Sequence, residues 1–194
     1  MRQIFIFVCL FALGYPHSSF AGECKSPDSF SGDVVVRWLE DPDGPDREMK
    51  LEEDFSYCDP AGLNWYAPLG TKIDGASIPR VVWTSMGSPF VGDYRWASVI
   101  HDHYCDSKER SWEETHLVFY HAMIRKGVSK TRAKLFYAAV YAGGPRWAEL
   151  SGAEPGGPKY FVENPEYTLE DFKRAEKWIK SDDPTIEEIT RRYD

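Results

Sequence analysis

The chain has 194 residues, 42% of them hydrophobic and 15% aromatic, with a formal net charge of −8 at pH 7. That aromatic content excludes a disordered polar chain. The acidic balance argues against nucleic acid as a partner, because phosphate contact needs a basic face.

The N-terminus reads as a leader. Arg2 precedes an apolar run from Ile4 to Leu13, followed by Gly14, Pro16 and the small residues of Ser19-Phe20-Ala21. A charged start, a short apolar core and a small-residue cleavage site predict a signal peptide over residues 1–21. The run is too short to span a bilayer, and no later stretch approaches the roughly 18 apolar residues that a span needs. The expected protein is therefore periplasmic or secreted, with no transmembrane anchor. Glu23 beside Cys24 argues against a lipid-anchor site. Residues 22–194 are one domain's worth of chain. The expected division is a single domain over 22–150 and a loop with a charged helical tail over 151–194.

Strand signals fill the front half. Val34 to Leu39 is β-branched and aromatic, which suits a strand. Asp41 to Asp46 has turn composition. Met49, Leu51, Glu53 and Phe55 alternate to one side of a second strand. Leu63 to Ala67 is a third, ended by Pro68 and Gly70.

Helix signals fill the back half. Helices are expected over Asp93–Cys105, Ser111–Lys126 and Ser129–Ala142. The second opens on a Ser111/Glu114 capping box and stops at Gly127; the third stops at Gly143-Gly144-Pro145. Residues 151–166 read as a loop, and Leu169–Lys180 and Thr185–Arg192 as charged surface helices. Strands first and helices later predict an α+β fold: short antiparallel strands, then three core helices and a helical tail.

Histidine and cysteine usage narrows the chemistry. Once the leader is removed, the remaining histidines are His101, His103, His116 and His121, and the remaining cysteines are Cys24, Cys58 and Cys105. Three thiols cannot all pair within one chain. Cys24 and Cys58 can pair in an oxidising compartment, which leaves Cys105, although spacing does not fix connectivity. At ~100° per residue, Trp96, Val99, Ile100 and His103 share one helical face, while Tyr94, Ser98, His101 and Cys105 share the other. His103 is then a packed core residue, and His101 and Cys105, one turn apart, aim at one place. On the second helix Trp112, His116, Phe119 and Met123 share a face, and His121 lies on the polar side as a solvated residue. A short connection makes the helices neighbours, so that His101, Cys105 and His116 converge.

Three readings of that convergence are open. Two imidazoles and a thiolate suit zinc, with a fourth position for water. A His101 base could instead activate water directly, with Asp102 nearby to hold a cation. The third reading is a structural polar cluster between packed helices. A second constellation is Asp74-Gly75-Ala76-Ser77-Ile78-Pro79-Arg80. Gly75 permits a turn that other residues resist, and Pro79 fixes one. Asp74 is a candidate cation ligand or loop cap. Ser77 lacks a nucleophile elbow and is better read as a hydrogen-bonding loop residue. Arg80 is a candidate for an anionic substrate group or a surface ion pair. Trp38, Trp65, Trp83, Trp96 and Trp112 are most simply core residues.

Together these pieces resemble the domain of unknown function 1353 family. The matching pieces are Asp74 to Arg80, Val81-Val82-Trp83, Ala97 to Asp102, Phe119 to Met123, Gly127-Val128 and the helix over Lys134 to Tyr141. The resemblance covers about residues 30 to 147. It implies members in bacteria and phages, and no settled activity. A weaker resemblance is to phospholipase A2-like sites, which use a His-Asp pair, a Tyr four residues after the His and an Asp on a second helix. His101 and Asp102 match; Cys105 and His116 stand where Tyr and Asp are expected. Both departures bring in metal-ligating residue types, which favours zinc over calcium. The expected function is an exported hydrolase with a lipid or cell-envelope substrate. The alternative is a non-enzymatic envelope or phage-related binding module.

Overall fold

The computed structural model describes residues 24, 26–40, 48–75, 78, 79, 81–83, 92–149, 157–162 and 166–194. Residues 1–21, expected to be a leader, the turn expected over Asp41–Asp46, Ser77 and Arg80 lie outside the described residues. The architecture is α+β, with short antiparallel strands first and helices after them.

Two three-stranded sheets form the front half. Strands β1 (Ser29–Phe30), β4 (Phe55–Cys58) and β5 (Asn64–Ala67) make one, in the order β1-β4-β5. Strands β2 (Val36–Trp38), β3 (Met49–Leu51) and β6 (Lys72–Ile73) make the other, in the order β2-β3-β6. Every pairing is antiparallel. The alternation from Met49 to Phe55 predicted one strand, but residues 52–54 leave strand geometry and the chain passes from one sheet to the other. Leu51 and Phe55 are both buried, so the inward pattern survives a change of sheet. A period of two does not reveal which partner a strand will choose.

A buried carboxylate shapes the β4–β5 turn. Asp59 accepts hydrogen bonds from the backbone N–H groups of Ala61 and Leu63 and from the indole N–H of Trp65. Those donors offset the cost of burying its oxygens. Beside it, Cys58 is joined to Cys24 in a disulfide, the pairing considered from sequence. Cys105 is free and buried.

Three helices form the core of the back half: α1 (Arg95–Ser107), α2 (Trp112–Arg125) and α3 (Lys130–Gly143). Ser111 and Glu114 form the expected reciprocal capping box at the start of α2. Gly127 has φ +93°, which only glycine adopts without strain, and it ends the helix as read. The contact between α1 and α2 is the most extensive between any two elements. Ile100, Phe119, Met123 and Phe136 are fully buried in the same core as Phe55, Tyr57 and Trp65 of the first sheet.

The later segment differs from its sequence reading. Residues 159–162, expected in a loop, form strand β8 (Lys159–Val162), which pairs with β7 (Arg146–Glu149). Its Gly and Pro neighbours masked a short strand whose partner is close in sequence. Helices α4 (Leu169–Asp182) and α5 (Ile186–Tyr193) have charged outer faces, but they also bury Phe172, Ala175, Ile179 and Ile189. Both pack on α3, and Lys134 of α3 pairs with Asp183 at the end of α4. Trp65 is buried as expected, Trp83, Trp96 and Trp112 are half-buried, and Trp38 is exposed. Trp38 lies on β2, at the edge of its sheet.

Candidate metal centre

Helices α1 and α2 bring His101, Cys105 and His116 together. One ligand atom from each can be chosen so that all three lie within 4.8 Å of one another. His101 Nε2 is 2.8 Å from His116 Nδ1. Cys105 Sγ is 3.8 Å from both ring nitrogens of His101. The i, i+4 spacing on α1 places the thiol beside the imidazole, and the α1–α2 contact supplies the second ring. Burial is essentially complete: His101 and His116 are 0% exposed and Cys105 is 3% exposed.

The far side of each ring has a partner. His116 Nε2 lies 3.1 Å from the carbonyl oxygen of Pro145. A carbonyl only accepts, so the proton sits on Nε2 and Nδ1 presents a lone pair towards His101. His101 then donates its Nε2–H to that lone pair. On its other side His101 Nδ1 is 3.9 Å from Asp102 Oδ1. Burial works against charge on His101, but the Cys105 sulfur and the Asp102 carboxylate outweigh it and raise its pKa. His116 is shifted the other way, well below the usual imidazole range, by burial and then by the charge on His101. The hydrogen bond between the rings thus runs from His101 Nε2–H to the His116 Nδ1 lone pair.

Tetrahedral zinc bonds of about 2.0–2.1 Å to nitrogen and 2.3 Å to sulfur place ligands about 3.3 Å (N···N) and about 3.6 Å (N···S) apart. The 3.8 Å sulfur–nitrogen distances are close to this. The 2.8 Å separation of the rings is that of a hydrogen bond, about half an ångström shorter than the spacing of two nitrogens that would hold zinc. The residues can therefore hold a metal ion, and the donor set is two nitrogens and one sulfur.

Asp102 links this buried cluster to a solvent-facing cavity of about 190 Å³ lined by Glu48, Lys72, Ile73, Asp74, Asp102 and Asp106. Gly75, with φ +93°, turns its backbone N–H onto Asp102 Oδ2 at 3.3 Å. The loop read from sequence as a possible part of the site thus reaches Asp102. Asp74 stands on the exposed rim of the cavity, outside the His–Cys–His group. Partial burial, then the charges of Asp102 and Asp106, push its carboxyl up to about 6. Ser77 and Arg80 cannot be placed, being outside the described residues.

Two histidine assignments change. His103, expected deep in the apolar core, is half-buried, with Nδ1 3.5 Å from the Thr71 hydroxyl. His101, on the face with small and polar neighbours, is the fully buried one. The reason is that α1 is covered on both sides, by β5 and β6 and by α2. His121, expected in solvent, is half-buried, and burial lowers its pKa. The Pro145 carbonyl was missed altogether. Gly143-Gly144-Pro145 carries a helix-stop signal, but no side-chain pattern reveals where a backbone oxygen will point. A Cβ on Gly144 would collide with the Val140 carbonyl, so glycine is what lets the chain turn there and bring Pro145 to His116.

Residues 49–140 match the family model described as a protein of unknown function, DUF1353. Over that segment the chain is similar to the DUF1353 family. That segment contains His101, Cys105 and His116. The chain is also 43% identical over 136 residues to the uncharacterized protein y4iH of Sinorhizobium fredii, a match covering 70% of this chain and 56% of the relative. It is 49% identical over 99 residues to the uncharacterized protein y4jT of the same organism, covering 51% of this chain and 30% of the relative. The matches thus span only part of both relatives' length. No solved structure matches. Among the described residues, no helix is long and apolar enough to cross a membrane.

Proposed function

We propose that this protein is an exported zinc-dependent hydrolase with His101, Cys105 and His116 as the metal ligands. The observation that carries the reading is the His116 ring. Its Nε2–H is bonded to a backbone carbonyl and its Nδ1 lone pair faces His101, with the Cys105 thiol in the same group. Metal-ligating histidines are held in this way, with the second nitrogen fixed by an outer partner. A nitrogen and sulfur donor set suits zinc rather than calcium, which takes oxygen ligands. Zinc held by three protein groups retains a fourth position, and water bound there ionises near neutral pH.

The chain's own residues divide the remaining work. Asp102 stands between His101 and the cavity, where it orients the ring and faces an incoming substrate. Asp74 lines the same cavity, together with the carboxylates of Glu48 and Asp106, and Ser77 and Arg80, close to it in sequence, are candidates for contacts to substrate. The Cys24–Cys58 disulfide supports an oxidising compartment, which agrees with the leader-like N-terminus and a periplasmic or secreted location. A lipid or cell-envelope substrate fits that compartment. The division into a leader (1–21), a domain (22–150) and a C-terminal segment (151–194) belongs to the same proposal.

Complete burial of all three ligands favours a second reading, in which the cluster, with or without metal, fastens α1 to α2 in a non-enzymatic envelope or phage-related module. Full-length protein exported to the periplasm and purified without added metal separates the two. The hydrolase reading expects one zinc per chain by elemental analysis, lost in a folded His116→Ala variant. It also expects zinc-dependent cleavage of model ester, amide or phosphodiester substrates. Stoichiometric zinc without cleavage, together with a lower Tm after chelation, supports the fastening role. A folded protein that binds no zinc sinks the metal assignment.

A further inference from the structure

The ring of His116 is boxed in on its outer side. The Trp112 ring meets it edge-on with centroids 5.6 Å apart, and Tyr141 meets it similarly at 6.4 Å. Trp112 and Tyr141 touch each other at 4.9 Å. One residue ties all of these together. Arg146 follows Pro145 directly, and its guanidinium carbon lies 4.4 Å from the centre of the Trp112 ring. Its Nη2 donates to the carbonyl of Tyr141 at 2.8 Å and to that of Tyr193 at 3.1 Å. Tyr193 is the last residue of α5. The next residue, Asp194, accepts a hydrogen bond from the Tyr141 hydroxyl at 2.5 Å.

We infer that Arg146 is a positioning residue for His116, through which the C-terminal helix α5 holds the metal centre in register. The inference rests on the zinc reading for its effect on affinity, but its structural content is independent of metal. The planar guanidinium stacks on Trp112 while one of its nitrogens spans two carbonyls, a combination that suits arginine and not lysine. Two of these contacts constrain neighbours of His116, and the third ties α5 to the same residue. The Tyr141 carbonyl marks the last turn of α3, the Tyr193 carbonyl anchors α5, and Trp112 forms the wall beside the ring. The peptide joining Arg146 to Pro145 carries the carbonyl that selects the His116 tautomer. Pro145, Arg146 and α5 all lie beyond the residues 49–140 matched by the family model. The ligands thus belong to the family segment, while what orients one of them comes from the chain that follows it.

The test is Arg146→Gln in the full chain, read in two ways. Long-range ¹H–¹⁵N NMR on metal-free protein reports the His116 tautomer. The parent is expected to show the Nε2–H form alone, and the variant a mixture of forms. Competition with a chromophoric chelator reports zinc affinity, which should fall about tenfold to a hundredfold, the usual cost of losing an outer partner of a ligand. Arg174→Gln, on the exposed face of α4, should move neither readout. Parental behaviour of Arg146→Gln in either readout overturns the inference. If the parent itself binds no zinc, the proposed function fails and the tautomer alone decides the positioning role. Should Arg146→Gln not fold, Arg146→Lys carries the same two readouts, and parental values there overturn the inference equally.

Discussion

At the scale of single residues, the centre depends on where protons sit. Pro145 fixes one hydrogen on His116, and His101 occupies the remaining lone pair with its own N–H. The neighbouring cavity adds a pH dependence through Asp74. Its carboxyl is pushed up to about 6 by partial burial and by Asp102 and Asp106. A carboxyl with a folded pKa above its unfolded value of about 4 favours folding in its neutral form. Its contribution is full below pH 4 and is lost as pH rises through about 6. Asp74→Asn, neutral throughout, should therefore raise Tm relative to the parent at pH 7.5 and leave it nearly unchanged at pH 4. Thermal melts at the two pH values check this, and an equal Tm shift at both would contradict it.

At the scale of elements, caps and amphipathic faces do most of the positioning. The Ser111/Glu114 box starts α2 about one turn before His116, so the height of His116 on the helix is set at that end. Ser111→Ala should cost about 1 kcal/mol, the usual loss on removing an N-cap side chain, as measured by urea unfolding. Similar boxes, Thr168/Asp171 and Thr185/Glu188, open α4 and α5. These two helices are anchored by few apolar residues. Ile179 is 1% exposed, and Ile179→Ala should destabilise the protein by about 2–5 kcal/mol. A cost under about 0.5 kcal/mol, the range of surface substitutions, would place α4 at the periphery.

At the scale of the whole molecule, one covalent bond ties the start of the described chain to the first sheet. Cys24 and Cys58 are separated by 34 positions, and closing a loop of that size stabilises a fold by about 2–4 kcal/mol, mainly through the unfolded state. Cys24→Ala/Cys58→Ala should lower stability by about that amount in denaturant titrations and, if the proposed zinc site exists, leave its zinc content unaltered, because neither cysteine belongs to the His101, Cys105 and His116 group. Loss of zinc in this double variant would show that the front sheet supports the metal centre directly.

The α+β order, the three core helices and the face shared by His101 and Cys105 were legible in the sequence. Capping boxes, glycine stops and a helical period act over a few residues, and local physics suffices to read them. The convergence of His116 with that face also followed, from the short connection between α1 and α2. What the sequence could not show depends on partners distant in the chain. The Met49–Phe55 alternation does not say that β3 and β4 part into different sheets. Helical phase alone could not rank His101 as more buried than His103, since α1 is covered on both faces. Nor does any pattern of side chains disclose that the Pro145 carbonyl meets His116, or that Arg146 binds the end of α5. Amphipathic period marks which residues turn inward; only the packed fold decides which inward-facing groups meet, because backbone oxygens and long-range contacts leave no periodic mark on the chain.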